Sequence, residues 1–319
     1  MILLTGGTGF VGRHLIHQFA LDSRPVRVLS RTPGHVPVPA GVTWAAGDLR
    51  DVASLRVALH GVDTVVHAAA VLPGAALPDR DLEAVNSGGT DALARAARDA
   101  SVTRFIHISS AGVYGDGVTA TPHRESDEPS PGNTYERSKL GAERALAAAF
   151  AGSSVAWTIL RPQGLYGADR PATAAQFREV ATRRIWIHAS ARVMVHPTYI
   201  ADLVTAVVLV IDRADLHAEV INIGGSRPLE LPELIELIGA RMGHTPFQLV
   251  PPRAAGRVAA IVARGWTAFG TPPAALTRQA REWINRAVAI DKARRLLGFE
   301  PVGLEYGLDQ TAMKLLQPT

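Results

Sequence analysis

Tyr135 and Lys139 stand four residues apart, and on a helix that spacing puts both side chains on one face, one turn apart. A phenol titrates near ~10, and a neighbouring cation draws that value toward neutral pH, as a group that exchanges a proton with a carbinol oxygen requires. Ser110 closes an upstream strand-like run and offers a hydroxyl that can hold the same oxygen. Taken alone, the spacing also fits an ordinary exposed helix pair.

The segment TGGTGFVG, residues 5–12, ends a β-branched run and opens a stretch in which Phe10, Val11, Leu15 and Phe19 recur at helical spacing. Glycines here allow a tight turn, close approach of backbone to a pyrophosphate and close helix packing, with the helix start offering N–H groups to the anion. Gly6, Gly7, Thr8, Gly9, Phe10, Val11 and Gly12 are therefore candidate dinucleotide contacts. Where an acidic residue would hold an adenosine ribose 2′-hydroxyl, Ser30 and Arg31 follow instead. A guanidinium pairs with a 2′-phosphate that a carboxylate would repel, so NADP(H) is favoured; NAD(H) fits if Arg31 is simply solvated. Asp48 and Leu49 are placed to flank the adenine, although Asp48 also suits a helix cap.

Strand-like runs at 1–5, 26–30, 42–45, 64–68, 105–109 and 156–160 alternate with helix-length segments. Such a succession predicts a Rossmann-type doubly wound α/β fold, a parallel sheet covered on both faces, with ligands outside the carboxyl ends of its strands. After Leu160 the alternation stops, first at a Pro- and Gly-containing stretch and then at a segment with Arg178, Arg183, Arg184 and Arg192, taken as solvated. The expected organisation is a dinucleotide-binding domain over 1–164, to which 196–225 returns through a helix and a strand at 220–223. A smaller, interleaved C-terminal substrate lobe then takes 165–195 and 226–319. Asp291 and Gly298 are expected to cap a short helix that Pro301 stops.

The net charge of +4 comes from 33 basic and 29 acidic side chains without a basic run, so nucleic acid is not an expected partner. Cysteine is absent, which removes disulfides, thiolate catalysis and zinc–thiolate sites. The chain starts directly on a strand-like run, and the apolar stretch 204–211 is too short to span a bilayer, so a cytoplasmic location is expected.

The motifs TGGTGFVG, GDL, HAAA, SSAGVYG, YERSK, LRPQGLYG and NIGG occur in an order that resembles the extended short-chain dehydrogenases/reductases of the NAD-dependent epimerase/dehydratase superfamily, across nearly the whole chain. The resemblance implies Ser110, Tyr135 and Lys139 as the catalytic set, with Tyr135 and Lys139 also touching the cofactor. It implies His67, Ala68 and Ala69 along the cofactor, Arg161, Pro162 and Gln163 near the nicotinamide, and Asn86 as a support. Residues 67–69 also suit a core turn, and Asn86 a helix cap. In the implied reaction Ser110 holds the substrate oxygen, Tyr135 exchanges its proton, and Lys139 lowers the tyrosine pKa while gripping the ribose; the nicotinamide carries the hydride and no metal is needed. Relatives are commonly homodimers.

Departures from the family narrow the reaction. The Asp-Glu pair of sugar-nucleotide dehydratases is replaced by Ala111 and Gly112, and the asparagine usual in the 4-epimerases by Gln163. The acidic pair expected after His196 is replaced by Pro197, Thr198 and Tyr199. The C-terminal segments PPRAAGRVAAIVARGW and AIDKARRLLGFEP resemble the 3β-hydroxysteroid dehydrogenase-like and dihydroflavonol-reductase-like branch, which implies a hydrophobic secondary alcohol or ketone, steroid-, flavonoid- or β-keto-like. Val258, Ile261, Val262, Trp266 and Phe269 share one helical face, away from Arg253, Arg257 and Arg264, as in an apolar lid, a packed helix or a membrane-facing helix. Two alternatives stay open: a nucleotide-sugar epimerase or reductase, and a non-catalytic dinucleotide-binding sensor or scaffold.

Overall fold

Seven runs of β-branched and apolar residues form the central sheet in a computed structural model, which describes residues 1–34, 38–73, 78–115, 121–188, 193–213, 215–249, 261–262, 264–266 and 286–317. They are β1 (Ile2–Thr5), β2 (Val26–Ser30), β3 (Val42–Ala46), β4 (Thr64–His67), β5 (Arg104–Ile108), β6 (Ala156–Pro162) and, after four short strands, β11 (Glu219–Ile223). The order is β11-β6-β5-β4-β1-β2-β3, and every pairing is parallel. Strands β1, β4 and β5 are buried along their whole length, the pattern of a sheet covered on both faces. The strand order reverses at β1, so a crevice opens beyond the carboxyl ends of β1 and β4.

Helices α1 (Phe10–Leu21) and α7 (Ile200–Ile211) cover one face, burying Ile16, Phe19, Leu203 and Val207 with the underside of the sheet. Helices α2 (Val52–Ala58), α4 (Gly89–Asp99) and α5 (Thr134–Ala149) cover the other through Leu55, Leu93, Ala97 and Leu146. Helix α3 (Asp79–Glu83) leads into α4 through a π-helical turn, Ala84–Gly88. A third core joins α6 (Pro171–Thr182), α8 (Leu231–Met242) and α10 (Leu304–Leu316) through Phe177, Ile235 and Leu308. The short strands β7 (Leu165–Tyr166), β8 (Ile185–Ile187), β9 (Met194–Val195) and β10 (Thr198–Tyr199), with β12 (Leu229–Glu230) and β13 (Phe247–Leu249), pair two by two beside it.

Strand β5 ends at Ile108, one residue earlier than its apolar run suggests, so Ser109 and Ser110 are the first residues past the sheet. Helix α9 (Asp291–Leu297) places Asp291 inside its first turn, with Ile290 at the N-cap position, while Gly298 ends it with a φ of 64°. Arg178, Arg183 and Arg184 are exposed, as expected of solvated side chains. In the expected lid segment Ile261, Val262 and Trp266 are exposed, whereas Arg253, Arg257, Val258 and Phe269, like Arg192, lie outside the described residues. No helix among the described residues is long and apolar enough to cross a membrane.

The β1–α1 turn needs its glycines for two reasons. Gly6 has a φ of +73° and packs so tightly that a Cβ would lie 2.6 Å from the Ala69 nitrogen. A Cβ on Gly12 would lie 2.1 Å from the Gly6 carbonyl oxygen and 2.5 Å from the Gly7 Cα. Backbone cannot yield as a side chain can, so Gly12→Ala should destabilise the fold by about 1–3 kcal/mol. A denaturant midpoint lowered at unchanged slope would show this; an unchanged midpoint would contradict it.

Candidate active site

Ser110 lies just past β5 in extended conformation and caps the 3-10 turn Ala111–Tyr114, its Oγ accepting from the Gly112 N–H at 3.0 Å. Helix α5 starts at Asn133, whose Oδ1 accepts from the Glu136 N–H at 3.0 Å, while Glu136 Oε2 accepts from the Gly132 N–H at 2.8 Å. This reciprocal cap fixes the first turn of α5 and with it Tyr135. Tyr135 and Ser110 line one cavity and lie close enough for the Ser110 hydroxyl to act on the phenol, so the two hydroxyl-bearing residues of the expected site come together. Burial pushes the phenol above its ordinary value, opposed by the positive charge of Arg170 and by the Ser110 hydroxyl.

Lys139 follows one turn later and is 2% exposed. Its Nζ donates to the Ile108 carbonyl at 2.7 Å and lies 3.4 Å from His107 Nε2. Burial lowers its pKa to about 8 against the favourable field of Glu143. The cation whose field eases ionisation of Tyr135 is therefore Arg170, whereas the Lys139 ammonium is drawn into the strand–helix interface by the Ile108 carbonyl.

Two side chains expected along the cofactor point elsewhere. The Arg161 guanidinium donates to Glu143 through Nε at 3.0 Å and Nη2 at 2.6 Å, and through Nη1 to the Tyr114 hydroxyl at 2.9 Å. Every face of the fork is thus committed to the interior. The His67 ring is also internal: Nδ1 is 2.6 Å from Thr5 Oγ1 and Nε2 is 2.9 Å from Thr90 Oγ1. Because the Thr90 hydroxyl donates to the Asn86 carbonyl and Thr5 Oγ1 accepts from the Ala69 N–H, His67 carries its proton on Nε2. Burial, aided by the Lys139 charge, lowers its pKa to about 3, so it is a neutral imidazole. From this segment only the backbone and the small side chains of Ala68 and Ala69 are left to line a ligand.

Asn86, in the π-helical turn, is a clamp and not a cap. Its Oδ1 accepts from Val71 N–H at 2.7 Å, and its Nδ2 donates to the Val71 carbonyl and to Ser138 Oγ, both at 3.0 Å. It therefore ties the loop after β4 to α5.

At the first turn of α1 the N-cap is Gly9, no side chain caps the helix, and no acidic residue stands in the turn. Its leading N–H groups suit an anion, so the glycine turn fits a dinucleotide pyrophosphate. At the ends of β2 and β3, Arg31 is exposed and the Ser30 hydroxyl accepts from the Thr32 N–H at 3.1 Å. Asp48 is paired with Arg50 at 3.0 and 2.8 Å, and hydrogen bonds from Arg50, with the Arg31 charge as a smaller contribution, bring its carboxyl to about 2. Leu49 is buried.

A cavity of about 500 Å³ opens onto Ser110, Tyr135 and Gln163. Its described walls mix Asp79, His123 and Arg286 with Leu82, Pro73 and Val288. Among the described residues no group of three or more His, Asp or Glu side chains is arranged to hold a metal ion. The sequence motifs did not single out Glu136, Glu143, Arg170 or Arg286. Of these, only Glu143 leaves a trace in the spacing, one further turn along the face that carries Tyr135 and Lys139.

The family model for the NAD dependent epimerase/dehydratase family matches residues 2–224. A 4-hydroxy-2-methyl-3-oxo-4-farnesyl-3,4-dihydroquinoline-1-oxide ketoreductase of Stigmatella aurantiaca is 30% identical, over 96% of this chain and 94% of that protein. A 3 beta-hydroxysteroid dehydrogenase/Delta 5-->4-isomerase of Mycobacterium tuberculosis is 27% identical over 94% of this chain and 86% of its own length. Among solved structures, UDP-glucose 4-epimerase of Thermus thermophilus in complex with NAD shares the fold, with a TM-score of 0.77 at 22% identity over 98% of both chains. With its motif order, parallel sheet and relatives taken together, the chain belongs to the NAD dependent epimerase/dehydratase family, as an extended short-chain dehydrogenase/reductase of the 3β-hydroxysteroid dehydrogenase-like branch.

Proposed function

We propose that this protein is an NAD(P)(H)-dependent oxidoreductase that moves a hydride between a nicotinamide cofactor and a secondary alcohol or ketone with a largely apolar body. The observation that carries this proposal is the meeting of Ser110 and Tyr135 at the mouth of a cavity, beyond the carboxyl ends of the sheet that also presents the uncapped start of α1. The oxidoreductase names of the quinoline-oxide and steroid relatives support it.

Residues 6–12 would hold the pyrophosphate, and Ser30, Arg31, Asp48 and Leu49 the adenosine end. Ala68, Ala69, Pro162 and Gln163 would line the path to the nicotinamide. When bound, the nicotinamide supplies or accepts the hydride. Ser110 holds the substrate oxygen by a hydrogen bond, and Tyr135, beside Ser110 in the same cavity lining, exchanges the proton at that oxygen. Lys139 remains an ammonium below about pH 8 and offers its remaining N–H groups to the ribose hydroxyls. Arg31, exposed at the end of β2, favours a 2′-phosphate and hence NADP(H).

The polar wall of the larger cavity favours a second reading, a nucleotide-sugar epimerase or reductase. An epimerase returns its hydride to the sugar, so net consumption of reduced cofactor with an apolar ketone separates the two.

Tyr135→Phe should lower turnover by about 10²-fold or more while dinucleotide affinity stays nearly unchanged; undiminished turnover would remove Tyr135 from the chemistry. Arg31→Asp should weaken NADPH binding about tenfold or more relative to NADH, since hydrogen bonds to charged groups are worth ~1.5–3 kcal/mol, and an unaltered ratio would remove Arg31 from cofactor choice. Lys139 gives a third expectation, through its titration. Its folded pKa of about 8 lies below the unfolded value near ~10.4, so between these the unfolded chain binds more protons and stability rises with pH. Below about pH 8 both states carry the proton and the burial penalty is fully present. The stability of wild type minus that of Lys139→Met should therefore climb from pH 8 to pH 10, and a flat difference would show that Lys139 is not desolvated.

A further inference from the structure

Beside the larger cavity lies a smaller one of about 210 Å³, and the two share Gln163 and Gly164. Where α6, α8 and α10 meet, its walls are apolar, with Phe177, Leu234 and Leu308. Thr173, Gln176 and His196 add neutral polar groups to these walls, and the cationic residues of the lining are Arg170 and the exposed Arg286, which also lines the larger cavity. No carboxylate stands among the described residues of the lining.

Partly buried arginines are normally paired with acids, so Arg170, half-buried in a lining whose described residues hold no carboxylate, calls for a partner from outside the chain. Arg170 is the N-cap residue of α6, and Nη1 of its guanidinium donates to the Leu165 carbonyl. The carboxylate next to it in sequence, Asp169, is already engaged by Lys314 at 2.9 Å and His14 at 3.5 Å. No ion pair holds Arg170 among the described residues, and burial pulls its pKa down against the field of the Tyr135 phenol.

We infer that the smaller cavity receives an anionic group of the substrate, a carboxylate or a phosphate, with Arg170 as its principal partner and Arg286 as the second cation. The inference rests on the catalytic reading of Ser110 and Tyr135 and narrows the substrate to a ketone or secondary alcohol with an apolar body and an anionic end. Continuity through Gln163 and Gly164 lets one molecule reach both places. The glycine turn contributes nothing to the lining, which assigns the anion to the substrate and not to the cofactor. A fork of five donors suits such a group, because a carboxylate or phosphate accepts two parallel hydrogen bonds from it.

Calorimetric titration of the whole protein, saturated with NADP⁺, compares phenyl phosphate with benzyl alcohol. Phenyl phosphate should bind at least tenfold more tightly, and Arg170→Gln should remove at least tenfold of that affinity, with partial recovery in Arg170→Lys. Arg286→Gln serves as the second variant if Arg170→Gln lowers the melting temperature. Equal affinity for the two probes in wild type, or undiminished phenyl phosphate binding in well-folded Arg170→Gln and Arg286→Gln, overturns the inference. If neither NADP⁺ nor NAD⁺ binds, the proposed function fails; the comparison of wild type with the two variants, made on the free protein, still decides the cavity because it needs no turnover.

Discussion

Helix α5 carries Tyr135 and Lys139, and what holds it in place is a charge pair sealed in the core. Glu143 and Arg161 are both almost fully buried, joined through two hydrogen bonds, with Ser109 donating to the same carboxylate and Tyr114 accepting from the same guanidinium. The Tyr114 hydroxyl then donates to Asn222 Oδ1 at 2.9 Å, so one polar chain runs from the end of β5 through α5 and β6 to β11. Taking two ions out of water costs several kcal/mol each, and attraction offsets that cost only when the geometry is good and the remaining lone pairs are satisfied. Both conditions are met here. Their consequence is directional: α5 cannot slide or rotate without leaving a buried charge alone, so the face that carries Tyr135 and Lys139 has one stable position over the ends of the strands.

Around that fixed helix the site is made of groups that the fold keeps partly out of water. Lys139 is lowered by burial, Tyr135 is raised by it, and Arg170 lacks an acidic partner among the described residues. Each of these costs stability in the free protein, and each is a place where a ligand would add the missing interaction. Perturbed titration gathered at a strand-end crevice marks a candidate functional site. The pairs elsewhere, such as Arg95 with Asp91 at 2.9 Å, are exposed and contribute little.

Local spacing made part of this legible in the sequence. The glycine turn after β1, the YxxxK pair and the serine ending β5 are contiguous patterns whose geometry follows from one strand or one helix, and the parallel sheet follows from the alternation of such elements. What required two elements at once was not legible. Arg161 stands in an apolar strand and its direction depends on Glu143 from a helix across the sheet, so a motif position near the nicotinamide did not reveal that its charge is spent inward. Arg170 follows an irregular stretch with no periodicity to read, and it reaches Tyr135 only because that stretch folds back over the site. Asp202 is a similar case. Six residues beyond His196 and within the first turn of α7, it accepts from Val302 N–H at 2.8 Å, and burial raises its carboxyl to about 6.

The proposed site holds a dinucleotide from the glycine turn of β1 and α1 to the first turn of α5. Titration of the purified protein with NADPH and with NADH, followed by nicotinamide fluorescence, tests that directly. Saturable binding of at least one of them, at one site per chain, is the predicted result. If neither dinucleotide binds, the uncapped start of α1 is only a tight turn, and the roles assigned to Ser110, Tyr135 and Lys139 fall with it.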